Sequence, residues 1–303
     1  MEYWRDLSSW LKETYGRRLY RVPLDAGMTC PVRDGKLSSQ GCTFCAGGSG
    51  SFAIAYDGQK LSAADLTYNH QDISAGDYIG YFQAYTNTYA PVSRLRKLFV
   101  SALSDPLFAG IDIATRPDCI EEECYGLLQE LKASYPDKFI WVELGFQTAT
   151  EKTARAFGRG YDNAVFEDCV KRLAALDIPV IVHVILSLPG EGEEDNIRTM
   201  HVLNELPVSG VKIQMLQILK GSVMARQYAQ DPRKFPLFTE KKYAERCAVC
   251  LGHLQKDIVV HRLTGDGDRE LLIAPLWGTA KTQVINDIRH IMKEKGIHQG
   301  DLL

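Results

Sequence analysis

The sequence predicts an α/β fold built from parallel βα units. Strand-like and helix-like segments alternate at least six times between Leu19 and about Leu219, which is the pattern of parallel units. The segment from Val180 to Leu186 is nearly all apolar, as is typical of a parallel strand buried on both faces. Polar residues recur just after the strand-like segments, where parallel barrels place their functional loops. These observations predict a parallel sheet with a site at the carboxyl ends of its strands.

The first part of the chain begins with an amphipathic helix over residues 3–15, which places Trp4 and Trp10 on one side. A short strand over residues 19–24 leads into a loop that contains three cysteines. The next elements are predicted as a helix over residues 61–75, a strand over residues 78–85, a helix over residues 91–103 and a strand over residues 109–114. Pro91 suits the first turn of its helix, and Pro117 ends the last of these strands.

The same alternation continues through the second part. Asp118 is predicted to cap a helix over residues 120–134, and Asp162 a helix with apolar residues at i, i+3, i+4 and i+7. Strands are predicted over residues 139–145, 180–186 and 211–218, and the helix before the last strand has an acidic first turn. After Gly221 the predicted elements are a helix ending near residue 230, a helix over residues 239–254, a strand over residues 258–263 and a helix over residues 279–295.

Composition limits the class of protein. The chain has 303 residues, of which 45% are hydrophobic, so its core is large enough to need no disulfides. The longest apolar run, residues 178–188, is interrupted by Pro179 and His183 and is too short to span a bilayer, so no membrane partner is expected. Eight unevenly spaced cysteines, with no apolar segment after Glu2, predict a reducing cytoplasm. The net charge of −3 argues against nucleic-acid binding by bulk charge but leaves room for a local basic face.

Residues 28–52 contain the strongest chemical signal. Eleven residues separate Cys30 from Cys42, and two separate Cys42 from Cys45, with loop-forming residues between them. Structural zinc takes four nitrogen or sulfur ligands, and a [4Fe-4S] cluster normally takes four cysteines. A cluster held by only three cysteines keeps one iron open for another ligand. Phe44 would give such a centre an apolar cover, and a disulfide or zinc loop is the alternative.

The segment CPVRDGKLSSQGCTFC resembles the lengthened cluster loop of radical S-adenosylmethionine (SAM) enzymes. The resemblance is closest to a family of small bacterial proteins and to the radical domain of the Elongator catalytic subunit. It extends over nearly the whole chain through YFQAYTNTYAPV, IATRPDC, VELGFQTA, HVILSLPGE and RLTGDGDRELLIAPLW. It implies a partial (βα)6 TIM-like barrel of radical SAM type with a C-terminal α/β extension. The expected segments are an N-terminal helix over residues 1–18, the barrel over residues 19–219 and the extension over residues 220–303, packed on the barrel.

The same resemblance implies the cofactors and their contacts. Cys30, Cys42 and Cys45 would ligate a [4Fe-4S] cluster whose open iron binds SAM. The residues expected to bind SAM are Phe44, Gln83, Thr86, Thr115, Glu143, Gln147, Arg159, Leu186 and Ser187. Glu143 would bind a ribose hydroxyl and Arg159 the carboxylate, whereas the alternatives are a lysine partner for Glu143 and a surface position for Arg159. Related sequences tend to read Asn-Arg-Gly-His where this one has Gly-Arg-Gly-Tyr at residues 158–161.

The function implied is reductive cleavage of SAM to a 5′-deoxyadenosyl radical that modifies tRNA. The expected change converts the 5-carboxymethylaminomethyl group of wobble uridine (U34) to aminomethyl, with an electron donor such as flavodoxin or ferredoxin. Tyr85, Tyr89 and Phe146 are candidates for stacking on a flipped base. One alternative is a radical SAM enzyme acting on a small molecule or peptide. Another is a non-catalytic iron-sulfur or zinc protein that binds nucleic acid.

The five other cysteines are expected in the core. Cys247 and Cys250 form a second C-x2-C, but with no second pair nearby they are interpreted as core residues rather than metal ligands. Cys119, Cys124 and Cys169 are expected to pack as small buried hydrophobic residues. His183, within an apolar strand, is interpreted as a core histidine whose ring is hydrogen-bonded.

Overall fold

A computed structural model describes residues 2–47, 53–61, 76–265 and 267–303. Its centre is a parallel eight-stranded sheet in the order β2-β1-β3-β4-β5-β6-β7-β9. These strands are β1 (Tyr20–Asp25), β2 (Ile54–Ala55), β3 (Tyr78–Phe82), β4 (Phe108–Thr115), β5 (Phe139–Gln147), β6 (Val180–Leu186), β7 (Gly210–Met215) and β9 (Val259–Arg262). Within the described ranges the edge strands β2 and β9 do not pair with each other, so the sheet stays open and the predicted partial barrel is confirmed.

Helices connect and cover the strands. They are α1 (Leu7–Tyr15), α2 (Val92–Ser104), α3 (Glu122–Ser134), α4 (Glu151–Ala156), α5 (Asn163–Ala175), α6 (Glu193–Asn204), α7 (Val223–Gln230), α8 (Glu240–Gly252) and α9 (Lys281–Lys295). Asp162 caps α5 as predicted, because its carboxylate accepts a hydrogen bond from the Val165 amide at 3.1 Å. Gly296 ends α9 in the left-handed conformation, with φ 63°.

Three predicted boundaries are wrong for local reasons. The first helix begins at Leu7 rather than residue 3, because Asp6 accepts hydrogen bonds from the amides of Ser8 and Ser9 and caps it there. Asp118 does not cap α3, since its carboxylate pairs with Arg116 and a short 3-10 turn precedes the helix. The strand predicted over residues 211–218 is divided into β7 and a separate β8 (Ile218–Leu219), which pairs with β10 (Leu272–Ala274). The helix predicted over residues 61–75 lies outside the described residues except for its first position.

The two faces of the sheet differ in chemistry. Apolar side chains on the outer face pack under the helices, as Val182 and Leu186 of β6 do. Successive side chains of a strand point to opposite faces, so His183 and Ile185 of the same strand face the inside of the partial barrel. Charged and polar side chains occupy much of that inside, where barrels usually place branched apolar residues. The inner face is therefore specialised for chemistry.

The C-terminal part completes the sheet. β9 pairs with β7, and the amide of Val260 in β9 donates to the Arg5 carbonyl at 2.8 Å. The Gln299 amide donates to the Tyr3 carbonyl at 2.9 Å, so both ends of the chain meet beside β9. The boundaries at residues 18 and 219 stay a prediction. Within the described residues, no helix combines the length and the apolar character needed to cross a membrane.

The second C-x2-C lies in the core, as predicted. Cys247 and Cys250 of α8 are both 0% exposed and pack in the main hydrophobic cluster. We expect Cys247→Ala to leave the iron content of the reconstituted protein unchanged, because a fully enclosed thiol offers an iron ion no approach. Iron and acid-labile sulfide analysis measures this, and loss of part of the iron would reveal a second centre.

Candidate active site

A cavity of about 290 Å³ lies where the strands of the partial barrel end. Thr115, Gln147 and Met215 are the last residues of β4, β5 and β7, and all three line it. Gln83 lines it from the first position after β3. The cavity therefore occupies the position at which parallel barrels carry their active sites.

Cys30, Cys42 and Cys45 all line this cavity, and each is partly exposed. The loop that carries them is held by backbone hydrogen bonds, including one from the Cys45 amide to the Cys42 carbonyl at 2.9 Å. Arg33 braces it, since its guanidinium donates to the Cys45 carbonyl at 2.7 Å. Burial raises the pKa of Cys42 to about 12, although nearby Arg116 opposes the rise. A thiolate at Cys42 therefore needs a further positive partner, which a bound iron centre would provide.

The arrangement of the three thiols helps to distinguish a zinc ion from a [4Fe-4S] cluster. Within the described parts of the chain, no three His, Cys, Asp or Glu side chains converge closely enough to hold a single metal ion. Zinc holds each of its sulfur ligands at about 2.3 Å, so its ligands must converge. The three cysteines instead share the wall of one cavity, which suits a cluster wider than one ion. The donor set and its spacing fit a [4Fe-4S] cluster better than zinc.

Most of the residues predicted to bind SAM are brought together here. Those lining the same cavity as the cysteines are Phe44, Gln83, Thr86, Thr115, Glu143, Gln147 and Arg159. Leu186 and Ser187 do not line it. Leu186 lies on the outer face of β6 and is 0% exposed in the core, so its neighbour Ile185 takes the inward position. Ser187 follows the strand in a left-handed conformation, with φ 66°, and is also buried.

The three aromatic residues predicted to stack on a base also differ in whether they line the cavity. Tyr85 lines the cavity. Phe146 does not, because it is 0% exposed and stacks on Phe166 with ring centroids 4.1 Å apart. Tyr89 lies outside the cavity wall with Lys36 over its ring. Of the three, Tyr85 is the one placed where it could meet a base in the cavity.

Glu143 is the centre of a buried polar network. Its carboxylate accepts hydrogen bonds from Tyr81 Oη at 2.6 Å and Lys212 Nζ at 2.5 Å, and contacts His183 Nε2 at 2.8 Å. Arg21 lies 3.5 Å away and also pairs with Asp112. Although burial opposes it, Lys212 holds the pKa of Glu143 well below its usual value. The lysine partner considered from the sequence is thus present, yet Glu143 still borders the cavity.

Arg159 is buried rather than on the surface, at 1% exposure. Its guanidinium donates to the carbonyls of Phe146 and Thr148, each at 3.1 Å, and to Tyr161 and Asn163. These contacts hold the loop after β5. Arg33, Arg116 and Arg262 also border the cavity. The Arg116 guanidinium lies 4.9 Å from the centre of the Tyr161 ring and pairs with Asp118 at 2.7 Å.

Gln147 carries an unsatisfied group that points to a ligand. Its Oε1 atom is buried and has no hydrogen-bond partner among the described residues. Its backbone is left-handed, with φ 63°, which is a strained conformation for a residue with a side chain. An unpaired buried acceptor costs about 1–3 kcal/mol. A donor on a bound molecule would recover that cost, which supports a ligand site at this end of the cavity.

Glu191 provides a pH-dependent test of the loops beside the cavity. Burial raises its pKa to about 7, although Thr148 opposes the rise by donating to Glu191 Oε1 at 2.6 Å. Between pH about 4.5 and about 7 the folded protein thus binds a proton at Glu191 that the unfolded chain has released. The contribution of Glu191 to the free energy of unfolding therefore falls as pH rises. Glu191→Gln stays neutral. We expect the free energy of unfolding of the variant, relative to the native protein, to increase from pH 5 to pH 7.5 in urea titrations. A difference that stays constant across this range would contradict the assignment.

Comparison with known proteins shows the family to which the chain belongs. The family model described as the Radical SAM superfamily matches residues 38–203, and the Radical_SAM C-terminal domain matches residues 208–294. The uncharacterized protein YtqA of Bacillus subtilis strain 168 is 38% identical over 96% of this chain and 89% of its own length. Protein YhcC of Escherichia coli K12 is 32% identical over 97% of this chain and 93% of its own. The solved structure of Methanocaldococcus infernus Elp3 with an N-terminal deletion is 14% identical, with a TM-score of 0.60 over 74% of this chain and 56% of that one. The structural likeness shows the fold alone.

Proposed function

This chain belongs to the radical SAM superfamily, whose members use a [4Fe-4S] cluster and SAM, and from that premise we propose that it is a tRNA-modifying enzyme. The proposed reaction converts the 5-carboxymethylaminomethyl group of wobble uridine to aminomethyl. The observation that carries the catalytic part is that three cysteines share one cavity with the strand ends of a partial barrel. The substrate part rests on the resemblance of the sequence to tRNA-modifying members of the superfamily.

We propose that Cys30, Cys42 and Cys45 hold the cluster. When bound, the cluster would supply an electron to split the SAM sulfonium, and SAM would supply the 5′-deoxyadenosyl radical that abstracts a hydrogen atom. Phe44, which lines the cavity between two of the cysteines, excludes water from this region. Gln147 Oε1 accepts a hydrogen bond from the bound molecule, since no described residue satisfies it. Arg159 acts as a positioning residue for its loop, and Arg33 holds the Cys45 carbonyl. We assign the SAM carboxylate to Arg116, which lines the cavity and also pairs with Asp118.

The inner wall of the cavity suits the proposed substrate arm. That arm ends in a carboxylate and contains a secondary amine. Arg262 and Gln214 border the cavity and bond to each other at 2.7 Å, and His183 borders it while contacting Glu143. A cation beside the arm's carboxylate and an acidic group beside its amine would orient it for abstraction of hydrogen from the carbon between them.

The test measures 5′-deoxyadenosine and the modified nucleoside together. Anaerobically reconstituted protein, shown by iron and sulfide analysis to hold its cluster, is mixed with SAM, dithionite and tRNA from a strain that lacks this protein. We expect release of 5′-deoxyadenosine to rise sharply with that tRNA and aminomethyluridine to form. The control is tRNA from a strain that has the protein. Equal release of 5′-deoxyadenosine with both tRNAs would contradict tRNA as the substrate. No release from protein that holds its cluster would contradict the radical mechanism.

A small molecule or peptide is the second candidate substrate, and the net charge of −3 favours it. Binding of tRNA by phosphate contacts weakens steeply with salt. Salt-dependent tRNA binding would therefore support the first candidate, and absence of tRNA binding at low salt would support the second.

A further inference from the structure

A second cavity, of about 370 Å³, lies behind the turn that carries Cys42 and Cys45. Thr43 of that turn forms part of its wall, together with Phe157 after α4 and with Met224 and Gln227 of α7. Lys234 borders it from the short turn after α7. None of these residues takes part in the site proposed above.

The partition between the two cavities is one residue thick. Cys42 and Phe44 line the first cavity, whereas Thr43 between them lines the second. The partition is held rigidly, because the Thr43 amide donates to the Phe157 carbonyl at 2.9 Å and the Met224 amide donates to the Thr43 carbonyl at 2.8 Å. The rings of Phe44 and Phe157 meet edge to face across it, with centroids 5.3 Å apart. A partner in the second cavity is therefore separated from a cluster on Cys42 by a single residue.

The partition also contains a polar atom that the fold leaves unsatisfied. Thr43 Oγ1 is buried and has no hydrogen-bond partner among the described residues. Buried hydroxyl groups are normally paired, so a molecule seated in the second cavity would offer the missing contact. This observation, independent of the shape of the cavity, points to an occupant.

The rim of the second cavity is cationic. Lys234 is exposed on its wall. On α4, Lys152 comes four positions before Ala156, which lines the cavity. On α7, Arg226 comes four positions before Gln230, which also lines it. Each cation therefore lies one helical turn from the wall, on the same side of its helix. Lys152 and Arg226 are exposed, and neither forms an ion pair within the described residues. An acidic partner would face three cations at this rim.

We propose that the second cavity and its rim of Lys152, Arg226 and Lys234 dock a small acidic one-electron carrier, a flavodoxin, that reduces the cluster. The inference rests on the proposed function, because it requires a cluster held by Cys30, Cys42 and Cys45. One electron leaves the flavin hydroquinone, which becomes the semiquinone, and that electron enters the cluster. Redox partners form small, transient interfaces that charge steers into place, and three cations at the rim of the cavity suit such an interface.

The position of the cavity favours a carrier over tRNA. A wobble uridine must reach the first cavity, where the strand ends and the SAM-binding residues lie. An electron carrier needs only to come close to the cluster, and Thr43 provides that approach without opening the first cavity. Binding of tRNA at this rim is therefore the competing result that the test must detect.

The first test is the combined variant Lys152→Glu, Arg226→Glu and Lys234→Glu. Its cluster is reconstituted, quantified by iron and sulfide, and then reduced by flavodoxin hydroquinone without SAM or tRNA. Stopped flow follows the gain of flavin semiquinone absorbance. Because steering by opposite charge raises association rates about 10-fold to 1,000-fold, we expect reduction at low salt to slow by about tenfold or more. The difference in reduction rate between the variant and the native protein should become smaller as the salt concentration rises. Dithionite, which needs no docking surface, should reduce variant and native protein equally fast.

A matched control reverses three exposed cations at the opposite end of the barrel: Lys171, Lys293 and Lys295. Lys293 and Lys295 lie at the end of α9. Shortly after α9, Gln299 donates to the carbonyl of Ile258, which precedes the first residue of β9, so this region lies at the end of the barrel where the strands begin. This control should be reduced by flavodoxin at the native rate. As a second variant, Gln227→Trp fills the cavity without changing charge, and we expect it to slow flavodoxin reduction at all salt concentrations.

The outcomes separate the two proposals. A native protein that holds no cluster after reconstitution refutes the proposed function, whatever the docking surface does. If the loaded charge-reversal variant is reduced by flavodoxin at the native rate, or if the control slows equally, the docking surface is refuted. If the variant loses tRNA binding while flavodoxin reduction is unchanged, the rim binds RNA, and the docking proposal is also overturned.

Discussion

Cys42→Ala is expected to abolish reductive cleavage of SAM. A cluster with an open iron for SAM depends on all three of its thiolates, and Cys42 lies at the partition between the two cavities. Loss of one ligand removes or distorts the cluster, so 5′-deoxyadenosine release should fall below detection and iron content should drop. Release is measured by chromatography from anaerobic protein with SAM and dithionite, which requires no tRNA.

The control for this variant is Cys169→Ala. Cys169 is 2% exposed in α5, away from the cavity wall, so its replacement removes a thiol of the same kind from the core. This variant should keep its iron and its SAM cleavage, with a modest loss of stability. Full activity of Cys42→Ala would exclude the cysteine as a ligand.

Lys212→Met is expected to destabilise the fold by about 3–5 kcal/mol, because it breaks a buried ion pair and leaves the Glu143 carboxylate with a longer ionic contact to Arg21 at 3.5 Å. Lys212 is 2% exposed and its Nζ atom lies 2.5 Å from the Glu143 carboxylate. Burial lowers the pKa of Lys212 to about 8, against the attraction of Glu143, so the charge is already costly to hold. Urea unfolding at pH 7 measures the loss.

Two further variants make this result specific. Lys171→Met, at an exposed lysine of α5, should change stability by less than about 0.5 kcal/mol. Lys212→Met combined with Glu143→Gln should cost less than the sum of the two single changes, since both charges are then removed. If Lys212→Met costs no more than Lys171→Met, the buried pair contributes little to the fold.

The fold was predictable because local patterns determine it. The apolar run of β6 and the Asp162 cap of α5 each follow from a few neighbouring residues, and both are confirmed. Asp118 failed as a predicted cap because Arg116 competes for its carboxylate, and local cap preferences do not include that competition. The edge strand β9 was predicted as a strand. Its pairing with β7 could not be predicted, since strand pairing depends on contacts distant in sequence.

The site was predictable in part. The cysteine spacing located the loop that lines the first cavity, and the resemblance to radical SAM enzymes named seven further residues of its wall. The choice of Leu186 rather than Ile185 reflects the two-residue period of a strand, because an error of one position moves a side chain to the other face. Only a lysine partner for Glu143 was considered from the sequence, because Arg21, Tyr81 and Lys212 come from three different strands. A lysine and a histidine within otherwise apolar strands were the available signals.

The position of β9 in the sheet has a consequence for synthesis of the protein. Residues 259–262 are the last of the eight-stranded sheet to leave the ribosome, and β7, which carries Lys212, presents an open edge until then. A nascent chain can pair the first seven strands as they emerge, but the contact between Arg21 and His261 at 3.0 Å must wait until β9 has emerged. The buried charges thus gain their neighbours from β9 only after that strand has emerged, which makes termination between β7 and β9 a route to aggregation.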